Sequence, residues 1–251
     1  MAVVILLLCS LSVVVILSQN PRIVRKISRR IVQLFRTDHQ AVNYIHVPDG
    51  FAIHGIDVSH YQGAIDWDKV TSLRIQGEPL AFVYLRASMG EDRKDTEFLF
   101  NRDAVRQTSM RCGAYHFYHV QADPIAQANH FLQTISPHSP DDLPPVLDIE
   151  GDITRPDSLC RNLQLWLDVV ERETRKKPII YTSYNLYCRY FRNRFAGYAF
   201  WIAHYEVSYT RALEDPAVLF WQHQDEGRID GIDENVDLNV FSGTDNQFLK
   251  L

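Results

Sequence analysis

Cysteine is scarce. The chain has four, Cys9, Cys112, Cys160 and Cys188, and no C-x-x-C pair. Zinc-finger and dithiol-redox chemistry therefore lack their ligands. Cys9 lies in an N-terminal apolar run, so the other three permit at most one internal disulfide, and buried free thiols are the expected state. There is no G-x-S-x-G and no glycine-rich phosphate loop, which excludes a nucleophile elbow and a P-loop. The main body has no basic cluster interleaved with aromatics and the formal charge is -5, so nucleic acid is not an expected partner. No repeat of solenoid period and no low-complexity tract is present.

What remains is a chain of 251 residues, 46% hydrophobic, long enough for one large core. Single-domain barrels reach this length. Aromatics make up 12%, a fraction that suits either a large core or a groove that stacks sugar rings; composition leaves both open. Ala2 to Ser18 is nearly all apolar and marginally short of a typical bilayer span. It lacks the basic start and the A-x-A-like site of a signal peptide, so an uncleaved membrane anchor is the favoured reading and a cleaved, secreted form the alternative. Arg22 to Arg36 spaces Ile23, Ile27, Ile31, Leu34 and Phe35 among basic residues, the pattern of an amphipathic helix on an anionic bilayer. Residues 37–50, with Pro48 and Gly50, read as a linker, which places the folded body at 51–251.

From Ile53 onward, short apolar runs alternate with amphipathic stretches. Strands are expected at 53–59, 80–87, 112–119, 145–150, 178–182, 199–205, 219–223 and 236–241. Helices are expected in TEFLFNRDAVRQTSM, in PIAQANHFLQTI, and from Pro156 to about Arg175, where Leu159, Leu163, Trp166, Leu167 and Val170 share one face. Alternating strands and helices imply an α/β class with parallel strands, and eight strands imply a TIM-like (β/α) barrel. Little chain separates LFWQH from VDLNVF, so the barrel should be irregular, its last strands lacking full crossover helices. An open doubly wound sheet is the structural alternative.

Chemistry in such barrels sits at the C-terminal ends of the strands. Acids gather there: Asp57 in GIDVS, Asp148 and Glu150 closing PVLDIE, Asp233 in GIDEN and Asp237 opening VDLNVF. Residues i and i+2 of a strand share a face, so Asp148 and Glu150 project together. Two like charges that close resist double ionisation, and one proton is held at raised pKa. A protonated acid beside an ionised one is the pairing that glycoside hydrolysis uses. A metal is not expected, because the H-x-x-H of His116 and His119 lies in a strand, where that spacing splits across two faces.

HGIDVSHYQGAIDW, FVYLRASMG, GAYHFY, PVLDIE, PIIYTSY, FWIAHY, FWQH and GIDENVDLNVF occur in that order. Together they resemble glycoside hydrolase family 25, the Chalaropsis-type lysozymes (N-acetylmuramidases), over about residues 51–244. The resemblance implies an irregular (β/α) barrel that cleaves the β-1,4 bond between N-acetylmuramic acid and N-acetylglucosamine in peptidoglycan, with retention and without a cofactor. It makes Glu150 the proton donor. It makes Asp148 the group that positions the substrate's own 2-acetamido group for attack, an exception to the two-carboxylate scheme. It implies Asp57 and Asp233 as the other active-site carboxylates, and Tyr115, His116, Phe117, Tyr181, Trp201, Gln222 and Asp237 as substrate-binding. One departure stands out: where the family often reads K-A-T-E-G, this chain reads Arg86-Ala87-Ser88-Met89-Gly90.

Two functions follow as expectations. One is an active muramidase in the bacterial cell envelope, anchored by its N-terminal helix with the body outside the cytoplasm. The other, motivated by Met89 and the anchor, is a membrane-tethered peptidoglycan-binding protein with weak or no turnover. A metal-dependent deacetylase of the same polymer is a third reading. The basic cluster after the apolar run opposes an external body by the positive-inside rule; the location of peptidoglycan favours it.

Overall fold

A computed structural model describes residues 48–205 and 207–251. The expected anchor and amphipathic helix, and most of the expected linker, lie outside the described residues. Among the described residues no helix is long and apolar enough to cross a membrane.

In chain order the elements are β1 (Ile53–Val58), α1 (Trp67–Ser72), β2 (Arg74–Ile75), β3 (Glu78–Met89), β4 (Arg93–Lys94), α2 (Phe98–Val105), β5 (Arg111–Phe117), α3 (Pro124–Ile135), β6 (Val146–Ile149) and α4 (Pro156–Thr174). Then come β7 (Ile179–Ser183), α5 (Tyr184–Leu186, continued as a π-turn Tyr187–Phe191), β8 (Ala199–Ala203), β9 (Val218–Gly227), β10 (Val236–Phe241) and α6 (Asp245–Phe248). All eight expected strands are present. They form the ring β1-β10-β9-β8-β7-β6-β5-β3, which closes through a parallel β1–β3 pairing. The short β2 and β4, which carry no apolar run of their own, pair only with β3.

The barrel is irregular in the expected region. Full crossover helices cover the strands as far as α4; between β8 and β9 there is only a 3-10 turn at Arg211–Glu214. The last strand departs from the parallel expectation, because β10 runs antiparallel to both neighbours. Residues 228–235 are too few to carry a chain back across a barrel, and a short connection can join only antiparallel strands.

Two apolar layers hold the fold. One lies between strands and helices, where Leu163, Trp166, Leu167 and Val170 of α4 meet Leu147, Ile149 and Ile180. The other fills the barrel with Phe82, Tyr84, Val146, Ile179, Trp201, Phe220 and Phe241. Both faces of the strands are thus buried, so they read as continuous apolar runs. The inner rings fit because two inward positions have no side chain. A Cβ on Gly113 would lie 2.1 Å from the Tyr84 ring, and one on Gly55 would lie 2.4 Å from the Phe82 ring. Tyr84 is wholly buried and cannot swing into solvent. Gly113→Ala should therefore cost about 1–3 kcal/mol of stability by overpacking; a urea midpoint equal to wild type would show that the barrel absorbs the methyl.

Candidate active site

The C-terminal ends of the parallel strands open into a cleft of ≈ 180 Å³. Asp57 of β1, Asp148 of β6, Glu150 just past β6 and Asp237 of β10 line it, with Arg86, Tyr115, Phe117, Tyr181, Trp201 and Gln222. The strand rule does this sorting. Asp148 and Glu150 are two apart and face the same way, and Asp57 pairs in register with Asp237 across β1 and β10.

Asp57 is the centre of a hydrogen-bond chain. Its Oδ2 accepts from Gln222 Nε2 at 2.7 Å and from Asn239 Nδ2 at 2.7 Å. Behind them, the hydroxyls of Tyr181 and Tyr205 each donate to Gln222 Oε1 at 2.6 Å, and Trp201 Nε1 donates to Asn239 Oδ1 at 2.8 Å. Trp201 and Gln222 are thus the floor of the cleft, 2% and 1% exposed, with their polar atoms committed to holding Asp57. Tyr115 and Phe117 form the more open aromatic wall.

The electrostatics follow from burial. Burial raises Asp57 from 3.8 to about 6 against the pull of its amide donors. Asp237 is raised well above the ordinary range by burial and then by the charge of Asp57, its register partner across β1 and β10. Asp148 is also raised well above its usual value, by burial first, then by Glu150 and Asp57, with Arg86 opposing. Its Oδ1 is buried without a hydrogen bond among the described residues. Glu150, by contrast, is exposed at the lip.

A stability consequence follows for Asp57. Between about 3.8 and about 6 the folded state keeps a proton that the unfolded chain has released. The stabilisation from that proton is complete below the lower value and is lost as pH rises through the upper one. Wild type should therefore lose more stability than Asp57→Asn between pH 4 and pH 7. Equal losses in thermal melts of the two proteins would show that Asp57 does not titrate in this window.

Two expected site residues are elsewhere. Asp233 is exposed in the β9–β10 loop and does not line the cleft; its carbonyl accepts from Arg228 Nη1. Because β10 is antiparallel, its beginning lies at the mouth, and that places Asp237 beside Asp57. His116 is wholly buried on the outer face of β5, between Ser88 Oγ at 2.8 Å and Gln127 Oε1 at 3.2 Å, stacked on Trp166. It follows Tyr115 in a strand, so it must point the other way. Sequence reasoning missed Asn239 and Tyr205. Asn239 had a signal, the D-x-N spacing of Asp237 and Asn239, which is the same i, i+2 rule that picked out Asp148 and Glu150. Met89, at the departure from K-A-T-E-G, belongs to the β3–β4 hairpin opposite Arg93 and is not among the cleft residues. Glu91 does not replace it there, since its carboxylate accepts from the Asp123 amide at 2.5 Å.

Acids gathered at the C-terminal mouth of a barrel, beside rings able to stack on a sugar, define a glycoside hydrolase. The chain matches glycosyl hydrolases family 25 over residues 56–232 and belongs to that family. It is 36% identical to the uncharacterized protein YegX of Escherichia coli K12, over 95% of this chain and 90% of that protein. It is 32% identical to lysozyme M1 of Streptomyces globisporus, over 81% of this chain and 72% of that enzyme. Among solved structures it resembles a family 25 glycosyl hydrolase from Bacillus anthracis, with a TM-score of 0.73 and 27% identity over 85% of this chain and 99% of that one. It also resembles the bacterial lysozyme from Streptomyces coelicolor, with a TM-score of 0.71 and 30% identity over 81% and 98%.

Proposed function

We propose that this chain is a lysozyme, a peptidoglycan hydrolase that cleaves the β-1,4 bond between N-acetylmuramic acid and N-acetylglucosamine with net retention. The observation that carries this reading is the convergence of Asp57, Asp148, Glu150 and Asp237 on one aromatic-walled cleft. Family membership and the relatives named as lysozymes support it.

Glu150 is the proton donor in this reading. It stands at the open lip, where the oxygen of a leaving sugar can reach it, and buried Asp148 lies on the same strand face behind it. Asp148 has an oxygen unoccupied by the protein, which suits it to accept from the N–H of a substrate acetamido group. Holding that group turns its carbonyl oxygen toward the anomeric carbon, and the negative field of Asp148 stabilises the cation that forms. Asp57 and Asp237, paired across β1 and β10, supply the other two acids of the cleft. The scheme uses no metal or cofactor. The second expectation, binding without turnover, rested on Met89, which pairs with cleft-lining Phe117 without lining the cleft itself, and on the anchor, which lies outside the described residues.

Mass analysis of digested peptidoglycan tests the reading. Fragments with a reducing-end N-acetylmuramic acid are expected, with the β-anomer appearing first by NMR. Reducing-end N-acetylglucosamine, or intact polymer, would overturn it. We propose further that the body works outside the cytoplasm, held to the membrane through Ala2–Ser18; protease added to intact spheroplasts should digest the body, and a body protected until the membrane is lysed would overturn this orientation.

A further inference from the structure

Arg86 is the single cation among the residues lining the cleft, set among four carboxylates. It is 8% exposed, and its charge also answers the buried carboxylate of Asp95. Its guanidinium is held from behind. Nε donates to Asp95 Oδ2 at 2.9 Å, and the guanidinium carbon lies over the exposed Tyr61 ring, 5.0 Å from its centroid. Asp95 in turn accepts from His60 Nδ1 at 2.9 Å and from the amides of His60 and Glu97, so its position is over-determined. Nη1 has no hydrogen bond among the described residues. The result is a guanidinium clamped on one edge with donor capacity left over beside Tyr115 and Asp148.

We propose that Arg86 is a specificity-determining residue that binds a carboxylate of the substrate. Where the cleft acids are ionised they repel an anionic polymer, and like charge brought together at an interface costs roughly several kcal/mol. The fixed cation supplies the one place where a substrate carboxylate is attracted, and its clamping by Asp95 removes the ordering cost of binding. This rests on the peptidoglycan reading above. In that polymer the carboxylate has two sources: the lactyl group of muramic acid, free once an amide hydrolysis has removed its peptide, or the acidic residues of a peptide still attached. An amide in place of the carboxylate would keep a hydrogen bond but lose the charge assistance.

The test measures binding, so it does not depend on turnover. Glu150→Gln and Glu150→Gln/Arg86→Gln are titrated calorimetrically with three kinds of glycan strand: peptide-free, peptide-bearing, and peptide-free with the lactyl carboxylates reduced to alcohols. Loss of Arg86 is expected to weaken binding of carboxylate-bearing strands by about 10-fold or more, the scale of one charged hydrogen bond, and to leave binding of the reduced strands unchanged. A penalty on peptide-free strands assigns the lactyl source; a penalty confined to peptide-bearing strands assigns the peptide. An equal penalty on reduced strands, or none on any, overturns the proposal. If removing Arg86 unfolds the protein by stranding Asp95, Arg86→Gln/Asp95→Asn keeps the pair neutral and gives the same comparison among strands. Failure of wild type to release reducing ends would count against the peptidoglycan reading and leave this binding difference intact.

Discussion

Glu150→Gln should lower kcat on peptidoglycan by about 10²–10⁴, the usual worth of a positioned general acid, with little change in KM. The glutamine keeps the shape and the hydrogen-bonding reach of the side chain but cannot surrender a proton to the departing sugar oxygen. The geometry makes the prediction specific to this residue. Glu150 is the one cleft carboxylate at the exposed lip, whereas Asp57 and Asp148 are buried beneath it. Asp233→Asn is the matched control: it removes an acid of the same sequence region that lies in an exposed loop outside the cleft, and its rate should stay within about two-fold of wild type, as exposed substitutions rarely matter. Steady-state release of reducing ends separates the two. A Glu150→Gln enzyme as fast as wild type, or an Asp233→Asn enzyme as slow as Glu150→Gln, would sink the assignment.

The second large effect is expected at Asp148. Asp148→Asn should reduce kcat by about 10²–10³, comparable to losing one preorganised electrostatic contact to a transition state. Its carboxyl is pushed well above the ordinary range by burial and by Glu150 and Asp57, while Arg86 pulls the other way. Substrate binding that places an amide N–H on the unpaired Oδ1 favours the charged form, and positive charge at the anomeric carbon favours it further. Asparagine can still accept that N–H, so KM should hold, but it carries no charge to stabilise the cation. The substrate offers an independent check. Wild-type enzyme should be slowed to a similar degree on strands whose acetamido groups have been removed, and Asp148→Asn should add little to that loss. Undiminished cleavage of de-acetylated strands would show that the acetamido group takes no part.

Much of the barrel is visible in the linear pattern. Strands buried on both faces are short continuous apolar runs, and a long amphipathic helix such as α4 has an unmistakable period, so both were legible. The pair Asp148 and Glu150 was legible for a local reason, since two residues of one strand cannot change their relative facing. The same rule, applied one residue at a time, would have kept His116 out of the groove, because Tyr115 and Phe117 both face in.

The failures came where a residue's place depends on how strands are joined. Asp233 and Asp237 both stand near the start of the last strand, and nothing nearby in the chain says which reaches the cleft. That depends on β10 running antiparallel, which brings its first residues to the same rim as the last residues of β1. The network around Asp57 is less legible still. Its donors Gln222 and Asn239 are 165 and 182 positions away, so no local periodicity connects them. The linear sequence by itself determined which segments become strands, which faces they bury and that Asp148 and Glu150 project side by side. Tertiary structure alone decided that Asp237 rather than Asp233 completes the cleft, that Trp201 and Gln222 support Asp57 from below, and that Arg86 is clamped among acids. Side-chain alternation is a property of one strand, whereas closure of the barrel fixes the register between strands and therefore which distant residues meet.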